Sequence, residues 1–319
     1  MTLTPDVLTT LRGQIDQRLG AVYPQGPRLL TEPIHYVLAG GGKRLRPILT
    51  LLTAQTCGGG HEDALHAAVG VEALHNFTLV HDDVMDGDHT RHGQPTVHTK
   101  WDDGVAILTG DAIFVLALAE VRRSVVNVEA LTAAFTRGAL AVCEGQALDK
   151  EFEGRSRVSM EDYLRMIDLK TGYLLGLAAE MGALCVSAGE AQVKGVQRFG
   201  QLLGRAFQIQ DDLLEIFSDT GTMGKSLGSD LLAEKKTYLV ISALARAPEK
   251  VDQAIALAKG DLQEGLAALR EVLRETDVKD EAEEAVRRTV DQAIEELAPL
   301  GGDTALLADF ARLVLNRRK

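Results

Sequence analysis

The chain has 319 residues, a formal net charge of −12, 45% hydrophobic residues and only 4% aromatic ones. A core drawn from Ala, Leu and Val suits packed helices, and the acidic balance excludes nucleic acid as a partner, because that contact needs a basic face. Cys57, Cys143 and Cys185 are an odd number without metal-ligand spacing and read as reduced core residues of an intracellular protein. The opening residues, Met1 to Asp6, carry neither a basic n-region nor an apolar h-region. No run of about 18 uninterrupted apolar residues occurs; the best candidate, 173–188, contains Glu180. The expectation is a cytoplasmic chain without a transmembrane segment.

Helical periodicity dominates, and alternating strand patterns are scarce. Leu3, Val7, Leu11, Ile15 and Leu19 predict an amphipathic helix over 3–20, broken by Pro24, Gly26 and Pro27. A short helix over 30–39 precedes the turn Gly40-Gly41-Gly42, and helices over 46–56 and 62–86 are separated by Gly58-Gly59-Gly60. A polar loop from Gly87 to Pro95 leads into a helical series over 103–150. Asp149 to Val158 reads as a charged connection, and Ser159 with Glu161 and Asp162 marks a helix start. Helices over 160–188 and 191–217 follow, then a Gly-rich polar loop or lid from Thr220 to Ser229. The remainder, 235–319, is helical with breaks at Pro248, Gly260 and Pro299-Leu300-Gly301-Gly302. No linker or low-complexity segment divides the chain, so the prediction is one all-α domain over 1–319.

Chemistry concentrates at the end of the 62–86 helix, where Asp82, Asp83 and Asp86 stand at i, i+1 and i+4. Asp82 and Asp86 share a face and Asp83 lies on its flank. Two carboxylates about 4 Å apart repel by about 4 kcal/mol at an effective dielectric near 20, so the cluster calls for a cation. An all-oxygen donor set without cysteine favours Mg²⁺ completed by phosphate oxygens. One such motif is more often a solvated helix end. A second copy with the same spacing, Asp211-Asp212-x-x-Glu215, changes that reading, since two acidic helix ends could face each other across one cavity.

Basic groups punctuate the same stretch. Gly41-Gly42-Lys43-Arg44-Leu45-Arg46-Pro47 puts a glycine turn before a helix start, with Lys43 and Arg46 on one face and an anion-attracting N-terminus. His75 lies two helical turns before Asp82. Arg91 follows the first acidic motif, Lys170-Thr171-Gly172 falls inside a helical run where it could loosen the backbone and free a carbonyl, and Lys225, Lys235 and Lys236 flank the second motif. The proteins with this order of motifs are the trans-isoprenyl diphosphate synthases. From Gly41 to Lys236 the chain resembles this polyprenyl synthetase family, most closely its short-chain geranylgeranyl type. The shared motifs are Gly-Gly-Lys-x-x-Arg-Pro at 41–47, His75, Asp82-Asp83-x-x-Asp86, Arg91-x-Gly93-x-Pro95-Thr96, Gly110-Asp111, Lys170-Thr171, Gln208-x-x-Asp211-Asp212, Gly224-Lys225, Gly228-x-Asp230 and Lys235.

The resemblance implies an all-α bundle around a deep central cavity and a homodimer. It implies that Asp82, Asp86 and Asp211 ligate up to three Mg²⁺ ions on an allylic diphosphate, supported by Asp83, Asp212 and Glu215, the last two counted with the metal set. Arg91, Lys170, Lys225 and Lys235 would bind the same diphosphate, while Lys43, Arg46 and His75 would hold isopentenyl diphosphate. The oxygens of Thr171 and Gln208 would face the developing allylic cation. Many relatives carry a second arginine after Arg91 where this chain has His92, which removes an always-charged ligand from the isopentenyl site; the basic end Arg317-Arg318-Lys319 could compensate. Glu215 replaces the commoner Asp and keeps the charge.

Product length is expected to be read along the helix before Asp82. Helix pitch points to Thr78, Leu74 and Val71 on the Asp82 side, with Phe77 on the flank about 7.5 Å along the axis. An aromatic at that position resembles the C20 pattern. Two other readings are a class I terpene cyclase, which would have no use for Lys43 and Arg46, and a non-catalytic partner subunit, which would be expected to lose an acidic motif.

Overall fold

One helix, Tyr173–Cys185, is buried on almost every side, and the other elements pack round it. In this computed structural model residues 3–218 and 228–315 are described. In chain order the elements are α1 (Pro5–Gly20), α2 (Arg28–Leu38), α3 (Leu45–Thr56), α4 (His61–Asp86), the hairpin strands β1 (Thr90–Arg91) and β2 (Gln94–Pro95), α5 (Val97–Lys100), α6 (Asp103–Val121) and α7 (Val128–Glu153). Then come α8 (Met160–Ile167), a π-helical turn (Asp168–Gly172), α9 (Tyr173–Cys185) and α10 (Glu190–Phe217). The chain closes with α11 (Ser229–Leu232), α12 (Tyr238–Arg246), α13 (Pro248–Gly260), α14 (Leu262–Glu275), α15 (Val278–Glu295), a 3₁₀ turn (Ala298–Leu300) and α16 (Ala305–Leu315). The fold is all-α.

α9 touches α3, α4, α7 and α10, and α10 is covered in turn by α15. A helix apolar all round belongs inside, which explains why 173–188 reads as the most membrane-like stretch. Its one charge, Glu180, is buried and paired: Arg137 donates to it at 2.7 Å and Gln197 at 2.9 Å. Among the described helices the one long and apolar enough to cross a membrane is instead α6. Its inner side, with Val105, Ile113 and Ala117, is buried, and its outer side exposes Ile107, Leu108 and Val115.

Several predicted boundaries move. The 103–150 series is interrupted at 122–127, because Asn127 takes a left-handed φ of 54°. α7 continues past the predicted end at 150 to Glu153, so Asp149 and Lys150, which the sequence reading put where helix and connection overlap, are helical. The polar loop after α4 contains a two-stranded hairpin, Thr90 opposite Pro95 and Arg91 opposite Gln94. Its two-residue link, His92-Gly93, has φ of 52° and 76°, the double left-handed geometry that matches strand twist in a tight hairpin. The region from 160 to 188 is split by the π-turn, as the loosened backbone at Lys170-Thr171-Gly172 predicts. Residues 219–227 of the predicted lid, with Lys225, and the basic end Arg317-Arg318-Lys319 lie outside the described residues.

Candidate active site

α4 is held for its full length by a capped start, where Asp63 accepts from the Gly60 amide at 2.8 Å, and it stops at Gly87, whose φ of 66° ends the helix. The stop leaves the three aspartates of its last turn in different surroundings. Asp83 is buried and accepts from Arg91 through both Nε at 2.7 Å and Nη2 at 2.5 Å, so it positions an arginine. Asp86 is bonded at 2.9 Å by Lys150 of α7, which also donates to the Met85 carbonyl and to Glu153. Burial alone would raise the Asp86 carboxyl, but Lys150, Lys235 and Lys170 outweigh it and hold the group below the usual range. Asp82 makes no hydrogen bond or ion pair among the described residues. Burial pushes its carboxyl up to about 6, against the charge of Lys170 and with that of Asp86.

On the other flank of α4 a cavity of about 400 Å³ is lined by Lys43, Arg46, His75, Arg91 and His92. The loop that carries Lys43 is fixed from beneath by Arg44. This residue has φ of 52° and is buried, and it donates to Asp16 of α1 at 2.8 Å, Glu72 of α4 at 2.9 Å and the Leu38 carbonyl at 2.7 Å. Arg46 donates to His75 Nε2 at 3.1 Å. Burial first, and then Arg46, Arg91 and His92, push the His75 imidazole far below its ordinary value, so it stands neutral. The hairpin that presents Arg91 and His92 is latched by the Tyr36 hydroxyl, which donates to the Pro95 carbonyl at 2.7 Å. Arg91, expected with the allylic group, therefore lines the pocket of Lys43, Arg46 and His75, although its charge also reaches Asp82.

Opposite Asp82 and Asp86 stand the π-turn and α10. π-Bulges gather at functional sites because they turn a side chain and free a carbonyl without ending the helix. Here the turn lies against α7 at Gly145, where a Cβ would come within 2.4 Å of the Lys170 amide nitrogen. Lys170 then reaches Asp149 at 2.5 Å. The Thr171 hydroxyl donates to Gln208 Oε1 at 2.9 Å, and Gln208 Nε2 donates to Asp212 at 3.3 Å. The Thr171 oxygen, here a donor, keeps its lone pairs, and the Gln208 oxygen has accepted one of the two hydrogen bonds it can take.

The second acidic motif lies in different surroundings from the first. Asp212 is buried and accepts from the Tyr163 hydroxyl at 2.6 Å and the Tyr238 amide at 2.9 Å; burial raises its carboxyl to about 7. Glu215, also buried, accepts from the Gly228 amide at 2.9 Å. Both are buried and join α8, α10 and α12 to the start of α11. Asp211 is only partly buried. Lys235 sits 3.5 Å from Asp230, and its charge also meets Asp86 and Asp149.

Of the chain-length candidates, Phe77 and Thr78 are partly exposed, while Leu74 is fully buried. Phe77 stacks on Phe114 of α6 at 5.2 Å, and Phe114 on Phe135 of α7 at 6.0 Å. The sequence reading missed the α7 face of Gln146, Asp149 and Lys150. The signal was available, since polar types at i, i+3 and i+4 share a face, but it was hidden by placing Asp149 at the start of a connection. The donor chemistry suits Mg²⁺: Asp82 is a partly buried carboxylate without a hydrogen-bond or ion-pair partner, and Asp86 and Asp211 are further carboxylate oxygens on the same two motifs. Among the described residues no three His, Cys, Asp or Glu side chains converge enough to hold an ion unaided, as expected where substrate phosphates supply the remaining oxygens.

The polyprenyl synthetase family model matches residues 27–275. The chain belongs to the polyprenyl synthetase family. It is a trans-prenyltransferase, similar to a geranylgeranyl diphosphate synthase of Saccharolobus solfataricus (36% identical over 304 residues, 92% of this chain and 91% of the relative). It is also similar to a geranylfarnesyl diphosphate synthase of Natronomonas pharaonis, 38% identical over 242 residues, covering 69% of this chain and 70% of the relative. Among solved structures, a geranylgeranyl pyrophosphate synthase superposes with a TM-score of 0.90 at 36% identity, over 98% of this chain and 99% of that one.

Proposed function

We propose that this prenyltransferase condenses isopentenyl diphosphate with an allylic diphosphate head to tail, giving an all-trans C20 product and free diphosphate. The observation that carries the reading is the unpartnered Asp82 carboxylate, set between a basic 400 Å³ pocket and the π-turn that presents Lys170 and Thr171. Asp82, Asp86 and Asp211 hold Mg²⁺, which supplies charge stabilisation for the departing diphosphate. Lys170, braced by Asp149, and Lys235 add fixed positive charge on the same leaving group, the preorganised arrangement that lowers such barriers most. Lys43, Arg46 and Arg91 grip the isopentenyl diphosphate, with neutral His75 holding Arg46 in place. The Thr171 oxygen faces the allylic cation, the isopentenyl double bond attacks it, and the released diphosphate takes the proton.

The chain grows toward Phe77, which with Phe114 and Phe135 makes an aromatic stack across α4, α6 and α7. Relatives of equal similarity bear names of different product lengths, so the length rests on this stack. The exposed Ile107, Leu108 and Val115 of α6 and Leu140 of α7 form the face of a homodimer, a state that sedimentation would measure. The reaction is tested by incubating the protein with Mg²⁺, labelled isopentenyl diphosphate and dimethylallyl, geranyl or farnesyl diphosphate, then sizing the dephosphorylated products. A C20 alcohol is expected, and Phe77→Ala should lengthen it by at least one C5 unit. No incorporation with any primer overturns the reading; an unchanged product from Phe77→Ala removes Phe77 as the floor.

A further inference from the structure

Gln146 is a polar side chain 8% exposed, and neither its amide nitrogen nor its amide oxygen has a hydrogen-bond partner. Buried amides are almost always satisfied, so a fully unpaired one requires an explanation. Its position on α7 supplies one. Gln146 lies one turn from residues on both sides whose side chains meet the acid cluster. Lys150, at i+4, bonds Asp86; Asp149, at i+3, bonds Lys170. At i−3, Cys143 is close enough to Asp82 that, after burial, the charges of Asp82 and Glu144 raise its thiol. Positions i−3, i, i+3 and i+4 form one stripe of a helix, so Gln146 faces the gap between Asp82 and the π-turn.

Two groups without partners thus stand by the same gap between α4 and α7: Asp82, which calls for a cation, and Gln146, whose NH₂ calls for acceptors. A ligand that satisfies both carries a metal ion and anionic oxygens together. We propose that Gln146 is a further binding residue for the allylic substrate, donating from its amide N–H to an oxygen of the metal-bound diphosphate. This rests on the proposed function and adds a residue to that site. The unpaired amide is a local cost to the empty fold, recovered when the diphosphate arrives.

The test compares wild type with Gln146→Leu, which keeps the bulk and removes the amide, and with Gln146→Glu, which places a third negative charge near Asp82 and Asp86. Binding of inorganic diphosphate with Mg²⁺ is followed by calorimetry, thermal melting is followed without ligand, and KM is measured for each substrate. Gln146→Leu should weaken diphosphate binding and raise the allylic KM about tenfold, the low end for a hydrogen bond to a charged group. The isopentenyl KM should stay unchanged. Its ligand-free melting temperature should hold or rise, because an unpaired amide has been exchanged for an apolar group. Gln146→Glu should weaken binding further. Melting lowered by several degrees with diphosphate binding intact would overturn the proposal and make Gln146 a support of the helix pack; unchanged binding by both variants would overturn it as well. If wild type itself neither binds diphosphate nor turns over, the proposed function fails, and that outcome is distinct from a failure of Gln146 alone.

Discussion

The two acidic motifs share one spacing and have opposite environments. On α4 the motif closes a helix at the rim of the cavity, where Asp82 has no partner and Asp86 is held by a half-exposed lysine. On α10 it lies in a helix packed between α9 and α15, and Asp212 and Glu215 are drawn into the interior as acceptors for Tyr163, Tyr238 and Gly228. The same spacing therefore leaves a carboxylate without a partner in one place and, for two of three residues, makes an internal clamp in the other. A carboxylate surrounded by committed donors stabilises the fold, whereas one left short of donors is available for a cation.

The comparison is most easily broken at Asp82. Asp82→Asn should lower kcat/KM about a thousandfold, the scale of losing a principal electrostatic stabiliser. Its unfolding midpoint in urea should be unchanged or higher, since a partly buried charge without a partner has gone. Asp212→Ala should act the other way round. Three donors lose their acceptor, and stability should fall by about 3 kcal/mol, measured by urea unfolding. If Asp82→Asn unfolds as readily as Asp212→Ala, the division between ligand and clamp is wrong.

A smaller effect sharpens the picture on the isopentenyl side. Burial and then Arg91 lower the His92 imidazole, and Arg44 adds to this against Asp83, so in the empty pocket it is neutral at pH 7. A bound diphosphate favours the protonated form, so binding takes up a proton. The isopentenyl KM should be lowest below the empty-pocket value, which lies under 6.5, and should climb as the pH rises through the higher value of the occupied pocket. His92→Arg should abolish that climb and lower KM about fivefold at pH 8, since a guanidinium stays charged. An identical KM–pH curve for both proteins would exclude His92 from the pocket's charge balance.

The smallest effect is expected at Lys150. Its ammonium, pushed up to about 12 by Asp86 and Glu153 against the effect of burial, occupies a carboxylate oxygen that, on the proposed function, would bind the metal. Lys150→Met should lower the half-saturating Mg²⁺ concentration about threefold, the scale of a partly exposed ion pair. An increase instead would make Lys150 a contributor to diphosphate binding.

Much of the site was legible because helical spacing fixes direction. Asp82 with Asp86, Lys43 with Arg46, and the weak backbone at Lys170-Thr171-Gly172 are all local patterns, and each is found where the pattern points. What stayed hidden came from chain-distant partners. Arg44 reads as a surface cation of a basic turn, yet it is buried between Asp16 and Glu72. Asp149 and Lys150 read as solvated charges of a connection until α7 is seen to carry them into the acid cluster. Tyr163 has no motif at all and matters because it ends on Asp212.

The sequence by itself determined the helical class, the two carboxylate clusters and the anion-seeking turn before α3, since periodicity and spacing are properties of a single element. Only the tertiary structure decided which carboxylate is without a partner, which lysine neutralises Asp86 and which buried amide is left unpaired. Those outcomes depend on burial and on what packs opposite, and no spacing within one helix encodes the face that another helix will present to it.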